Sequence, residues 1–354
     1  MRGIVFIIVF IWVNATACKK GIDLTVPVKT EPATLKDLPF PFGAAISVDL
    51  FRSNLTYKTI VQREYNSITL ENAMKIGVIH PSENFYNWQD ADEIVQFALN
   101  NGQKVHGHTL IWHSDIPQWI YNFQGNSAAW EMLFKTHIQR IVSHYKGKVK
   151  SWDVVNEAYE DNGSLSRSIW LEKIGSDYIA KAFTYAHEAD PDALLFYNDY
   201  GQEYGYEFKS EKGQAIVTMA NSLLKRNIPI HGLGLQMHTK YTQSDDNISK
   251  AINLAASTGL KIHLSELDVA MNVSYDTALT FSKSLEEMQA AKFKSIVQIY
   301  NKLPATQKFG ITTWNVGDKD SWIPVFFKVP DWPTIFNEQY EKKLAYQAIF
   351  DGVK

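Results

Sequence analysis

The chain has 354 residues, 45% of them hydrophobic and 21% charged, with a formal net charge of -3. That much apolar material fills a large core and excludes disordered and fibrous classes. The balanced charge supplies no basic footprint for nucleic acid and leaves a neutral polymer as an acceptable ligand.

The first segment reads as a targeting signal. Arg2 gives a positive start, Ile4 to Val13 form an apolar run of ten residues, and Ala15-Thr16-Ala17 leads to Cys18. Such a run is too short to cross a bilayer as a helix. Cys18 is the single cysteine, so it has no internal disulfide partner. A lone cysteine after small residues resembles the cleavage box of a bacterial lipoprotein. The expectation is a signal peptide over residues 1–17, lipidation at Cys18, and an exported protein anchored on the periplasmic or cell-surface side. Two or more acyl chains, at about 0.8 kcal/mol per buried CH₂, anchor stably. An ordinary secretory peptide cut nearby is the alternative. Beyond it, Pro27, Pro32, Pro39 and Pro41 with scattered charges and no apolar period mark a tether, assigned to residues 18–37.

From Leu38 to Lys354 short β-branched and aromatic runs alternate with longer amphipathic stretches, the pattern of βα units around a parallel sheet. Eight runs stand out: Phe42 to Val48, Asn66 to Leu70, Lys104 to Trp112, Lys150 to Asn156, Leu194 to Asn198, His231 to Gln236, Lys261 to Glu266 and Phe309 to Trp314. Helices are expected between them. Ala91, Ile94, Ala98 and Leu99 recur at helical spacing, as do Leu133, Phe134, Ile138, Ile141 and Val142. Eight units make a single α/β domain, a (β/α)8 TIM barrel, with a doubly wound open sheet as the alternative. A barrel requires its working groups at the carboxyl ends of the strands.

Two carboxylates meet that requirement. Glu157 ends the fourth run in Val154-Val155-Asn156-Glu157, and Glu266 ends the seventh in Leu264-Ser265-Glu266-Leu267-Asp268. A carboxylate just past an apolar run is costly to desolvate, so it is expected to be paired or functional. Glycoside cleavage through a covalent intermediate needs two carboxyl groups about 5 to 5.5 Å apart, one protonated and one ionised. Glu157 is assigned as acid/base and Glu266 as nucleophile. Asn156 is placed to hold a substrate hydroxyl. Gln236 and His238 are expected on the side where Glu266 emerges, with His238 bonded to both Glu266 and Asp268 and favouring ionised Glu266. Trp314 and Trp322 supply aromatic faces for sugar rings at the barrel mouth, whereas Trp88, Trp130, Trp152 and Trp170 are left to the core. His106-Gly107-His108 also fits the H-x-H pair of a metal-dependent hydrolase. The further ligands such a site wants are not evident, since His231 and His263 fall at strand starts.

Together these motifs resemble glycoside hydrolase family 10, the endo-1,4-β-xylanases, from about Leu38 to Lys354. The resemblance rests on Glu71-Asn72-Ala73-Met74-Lys75, the run from Gly107 to Ser114, Trp152 to Glu157, Gln236-Met237-His238 and Ser265 to Asp268. It implies glycone binding by Glu71, Asn72 and Lys75, a cleavage subsite lined by His108 and Trp112, and subsite roles for Trp314 and Trp322. It also implies an endo-acting, configuration-retaining enzyme that needs no cofactor or metal, acts on xylan or xylo-oligosaccharides, and is read as a monomer. Three positions depart from the family pattern: Asp115 for Gln, Asn315 for Gly and Leu70 for Pro. A glycan-binding protein without turnover and a β-glucanase are the competing functions.

Overall fold

The computed structural model describes residues 33–205 and 211–354; the signal segment and Cys18 lie outside them. Nine strands run through the described residues: β1 (Phe42–Ile46), β2 (Ser67–Leu70), β3 (Lys104–Gly107), β4 (Ser151–Asn156), β5 (Leu194–Asp199), β6 (Gly232–Leu235), β7 (His238–Lys240), β8 (Lys261–Ala270) and β9 (Lys308–Thr313). All pairings among them are parallel, each strand beside its predecessor from β1 to β6, with β9 next to β1 and β8 next to β9. Pairing of β6 with β8 closes eight strands into a (β/α)8 barrel. The three-residue β7 lies alongside the upper part of β8, with His238 in register with Asp268.

Strand interiors are buried along their whole length in β1, β2, β4 and β6, as expected where helices cover one face and packed side chains the other. The expected helices form as Gln89–Asn100 and Ser127–His144, the second capped by the Asn126 side chain on the amide of Ala129 at 3.0 Å. Trp130, Trp152 and Trp170 are buried and Trp88 packs against the same core. Inside the barrel, Phe196 and Phe309 lie 4.4 Å apart between ring centroids, and His106 and His263 lie 4.9 Å apart. Gly232 is required there, because a Cβ would come within 2.0 Å of the Phe196 ring.

Several boundaries differ from the sequence expectation: the first run stops at Ile46 rather than Val48, and the seventh continues past Glu266 to Ala270. The third strand ends at Gly107 rather than Trp112, because the side chains of His108 and Thr109 turn to Asp153 of β4, Nδ1 to carboxylate at 2.9 Å and Oγ1 to carbonyl at 2.9 Å. The chain rejoins β4 afterwards through the amides of Leu110 and Ile111. The tether also ends earlier than residue 37. The compact unit runs from Thr34 to Lys354, and Leu35 is buried within its core.

The loop after β9, which carries Trp322, is fastened by a buried cation. Lys343 Nζ donates to both carboxylate oxygens of Asp318, at 3.1 and 2.9 Å, and to the carbonyls of Trp332 and Thr334. Asp318 in turn accepts from the Thr334 amide and hydroxyl, each at 2.9 Å. Replacing Lys343 by Met strands the buried carboxylate, so Lys343→Met is expected to lower unfolding stability by about 3–5 kcal/mol in urea titrations.

Candidate active site

Glu157 follows the carboxyl end of its strand, whereas Glu266 lies within one. Glu157 follows β4 with a left-handed φ of 55°, a strained state of about 1–3 kcal/mol that persists only where surrounding bonds impose it. Those bonds are present. The Glu157 amide donates to Asn198 O at 2.9 Å, and its carboxylate receives Trp112 Nε1 at 2.7 Å, Gln236 Nε2 at 2.8 Å and Asn156 Nδ2 at 3.0 Å.

Glu266, in the middle of β8, is 4% exposed. One carboxylate oxygen accepts from Asn198 Nδ2 at 2.8 Å and the other meets His238 Nε2 at 3.2 Å. Burial by itself pushes this carboxyl up. The His238 hydrogen bond and the neighbouring His108 and His238 rings outweigh it, and the Glu266 pKa is lowered. For His238, burial pulls downward, yet Asp268 and Glu266 raise its pKa well above the usual imidazole value. Its Nδ1 lies 2.8 Å from Asp268 Oδ2, the atom that also accepts Trp322 Nε1 at 2.9 Å. The order Trp322, Asp268, His238, Glu266 is therefore a continuous hydrogen-bonded chain; the sequence led one to expect its His238 links to both carboxylates, and the Trp322 bond to Asp268 adds to them.

Gln236 is a correction. It was expected on the Glu266 side with His238, but its amide donates to Glu157. Met237 between them has a left-handed φ of 62°, and this turn sends the two side chains to different glutamates. Asn198, at the end of β5, is the group that sequence reasoning missed. Its Nδ2 bridges Asn156 Oδ1 at 2.9 Å and Glu266 at 2.8 Å, and its Oδ1 accepts from Ser265 at 2.6 Å. An asparagine just past the apolar run Leu194 to Tyr197 was the available signal, the same one that picked out Glu157.

The remaining site residues gather on the wall toward β2 and β3. Lys75 Nζ donates to Asn72 Oδ1 at 2.9 Å and lies 5.2 and 5.8 Å from the ring centroids of Trp112 and Trp314. His108 packs edge-on against Trp314 at 5.4 Å. Glu71 lies in the same corner, its pKa raised by burial against the opposing pull of Asn315, Lys75 and Asn72. Beside His238, Asp268 and Trp322 a cavity of about 220 Å³ continues toward Tyr275 and Phe327.

The H-x-H pair has another occupation. His106 Nε2 and His108 Nδ1 face opposite oxygens of Asp153 at 3.0 and 2.9 Å. Burial would raise that carboxyl, and the two imidazoles instead hold it well below the usual range. Among the described residues no group of three His, Cys, Asp or Glu side chains is arranged to hold a metal ion. Of the departures, Leu70 is buried at the end of β2, Asp115 is exposed, and Asn315 is buried beside Trp314.

A family model described as glycosyl hydrolase family 10 matches residues 33–352. The chain belongs to this family. Among similar proteins, endo-1,4-beta-xylanase B of Thermotoga neapolitana is 38% identical over 294 residues, covering 83% of this chain and 82% of the relative. Beta-1,4-xylanase of Dictyoglomus thermophilum is 38% identical over 320 residues, covering 88% and 87%. Among solved structures, xylanase 10B from Thermotoga petrophila RKU-1 in complex with xylobiose superposes with a TM-score of 0.84 at 34% identity, covering 91% of this chain and 98% of that one. Native xylanase 10B from Thermotoga maritima gives 0.81 at 36%, covering 89% and 94%. As a family 10 member the chain is a glycoside hydrolase.

Two outcomes are expected from the site's geometry. Asp268→Asn removes the anion that keeps His238 charged, so the Glu266 pKa rises and the acidic limb of kcat/KM moves to higher pH, measurable in a pH–rate profile. Asn198→Ala removes a charge-assisted donor from Glu266 and is expected to lower kcat/KM by about tenfold to a hundredfold in steady-state assays.

Proposed function

We propose that this family 10 hydrolase is an endo-1,4-β-xylanase that cleaves internal xylosidic bonds with retention of configuration, Glu157 acting as acid/base and Glu266 as nucleophile. The observation that carries the reading is the unequal treatment of the two carboxylates. Glu266 is held against the His238 cation, while Glu157 is held by three neutral donors from Trp112, Gln236 and Asn156. The curated relatives named xylanases and the related structure with xylobiose support the choice of sugar.

In the first step an oxygen of Glu266 bonds to the anomeric carbon while the glycosidic C–O bond breaks. Glu157 gives its proton to the leaving oxygen, and Asn156 holds the hydroxyl beside the reacting carbon. In the second step Glu157 takes a proton from water, whose oxygen bonds to the anomeric carbon as the bond to Glu266 breaks. Both carboxyl groups return to their starting states. Glu71, Asn72, Lys75, His108, Trp112, Gln236, Trp314 and Trp322 hold the chain of sugars, and the reaction draws on no cofactor. The enzyme works as a monomer tied to a membrane by acyl groups on Cys18, a reading that rests on the sequence of residues 1–18.

Glu266→Ala is expected to abolish release of reducing ends from xylan. Glu157→Ala is expected to slow xylan hydrolysis by about 10²- to 10⁴-fold while sparing aryl glycosides whose leaving group needs no proton. Near-parental xylan hydrolysis by both variants, or an inverted first product by NMR, would overturn the mechanism; relative rates on xylan and cellulose test the sugar. Cys18→Ala should move the protein out of the membrane fraction, and unchanged fractionation removes the anchor.

A further inference from the structure

The left-handed backbone at Glu157 has a second support, on the side away from its own amide. The peptide plane that joins Glu157 to Ala158 is held at both ends. Its carbonyl, Glu157 O, lies 3.0 Å from His113 Nδ1, and its amide, on Ala158, donates to the Tyr197 hydroxyl at 2.9 Å. The plane before the Glu157 Cα is tethered through the Glu157 amide to Asn198 O at 2.9 Å. Two adjacent residues of β5, Tyr197 and Asn198, therefore grip the chain on either side of the strained residue. The planes that flank a Cα fix its φ and ψ, and with them the direction in which the side chain leaves.

Tyr197 is itself held from behind. An amide N–H can only donate, so the Tyr197 oxygen accepts from Ala158 and its single proton is directed elsewhere. It goes to Asp199 Oδ2. The other oxygen of Asp199 accepts from the Tyr200 amide at 2.9 Å and from Lys212 Nζ at 3.2 Å. Lys212 opens the helix Lys212–Lys225, and its Nζ also stands 3.5 Å from the centroid of the Tyr200 ring. Tyr197, Asp199 and Lys212 are all fully buried. A buried carboxylate and ammonium are costly to desolvate, and their pairing often adds no stability over apolar residues of the same volume. Packing therefore does not account for this set. What the set supplies is direction, since each member hands on a hydrogen bond along one line that ends on the Ala158 amide.

We infer that Tyr197 is a positioning residue for Glu157: its hydroxyl, anchored by Asp199 and Lys212, holds the Ala158 amide and so aims the Glu157 carboxyl at the oxygen it protonates. The inference rests on the reading of Glu157 as the acid. Trp112, Gln236 and Asn156 restrain the tip of that side chain, whereas Tyr197 sets where the side chain begins. Tyr197 acts through the backbone and reaches no reacting atom. A misplacement of about 1 Å can cost 10²-fold in rate, and a misaimed acid penalises only leaving groups that need its proton.

Tyr197→Phe removes the hydroxyl alone. Its kcat/KM would be measured on two aryl β-xylobiosides, a phenyl glycoside whose leaving oxygen needs the proton and a dinitrophenyl glycoside whose leaving oxygen does not, with thermal unfolding showing the protein folded at the assay temperature. The phenyl substrate is expected to lose about tenfold or more and the dinitrophenyl substrate less than about threefold. Asp199→Asn keeps the hydroxyl and weakens its anchor, so it should give the same pattern, and it replaces Tyr197→Phe in the comparison if that variant does not fold. An equal loss on both substrates, or a loss on neither, overturns the inference and leaves the network a packing feature. Glu157→Ala separates the two layers: if it discriminates between the leaving groups while Tyr197→Phe does not, only the role of Tyr197 fails. If Glu157→Ala does not discriminate, the acid reading fails and takes the inference with it.

Discussion

A carboxylate withdrawn from water at the mouth of a barrel needs a positive charge or hydrogen-bond donors held against it to stay ionised, and here His238 supplies the charge. The imidazole lies between Glu266 and Asp268, with each ring nitrogen committed to one carboxylate. Asp268 does two things at once, fixing the ring's orientation and accepting the Trp322 indole on the same oxygen. The Glu266 charge, the histidine's rotamer and the Trp322 indole are thus a single electrostatic unit. Its parts come from three places in the chain, brought together when β7 pairs with the upper half of β8.

Around that unit the barrel solves a second problem, keeping two carboxylates close while treating them differently. Asn198 and Asn156 form the bridge, a line of neutral amides from Glu266 to Glu157. Amides of this kind orient both carboxylates without bringing a charge of either sign between them. Glu157 then meets Trp112 and Gln236, neither of which carries charge. The cation is confined to the Glu266 side, which is the asymmetry a double displacement uses. Below the site, Asp153 repeats the same solution in the interior, a buried anion between His106 and His108. On the far wall Lys75 sits against two indole faces, where the rings help hold its charge.

The floor is built from strands and the rim from loops. Lys343 fastens the segment that delivers Trp322, so a side chain remote from Glu266 helps set where that indole stands.

The sequence by itself determined the barrel and the two glutamates. Apolar runs bounded by polar residues report burial directly, and a carboxylate placed just after such a run stands out because its desolvation has to be compensated. His238, Asp268 and Trp314 were legible for the same reason, all lying close to a strand end. What only the tertiary structure decided was which partner each polar group found. Gln236 went to Glu157 because of a left-handed residue at Met237, and the third strand stopped at Gly107 because His108 and Thr109 were drawn to Asp153. Asn198 became the link between the two halves of the site only when β5 closed beside β4. Local pattern records how deeply a side chain is buried, but hydrogen bonds between residues tens of positions apart depend on barrel closure and on left-handed turns, and neither leaves a periodic trace in the chain.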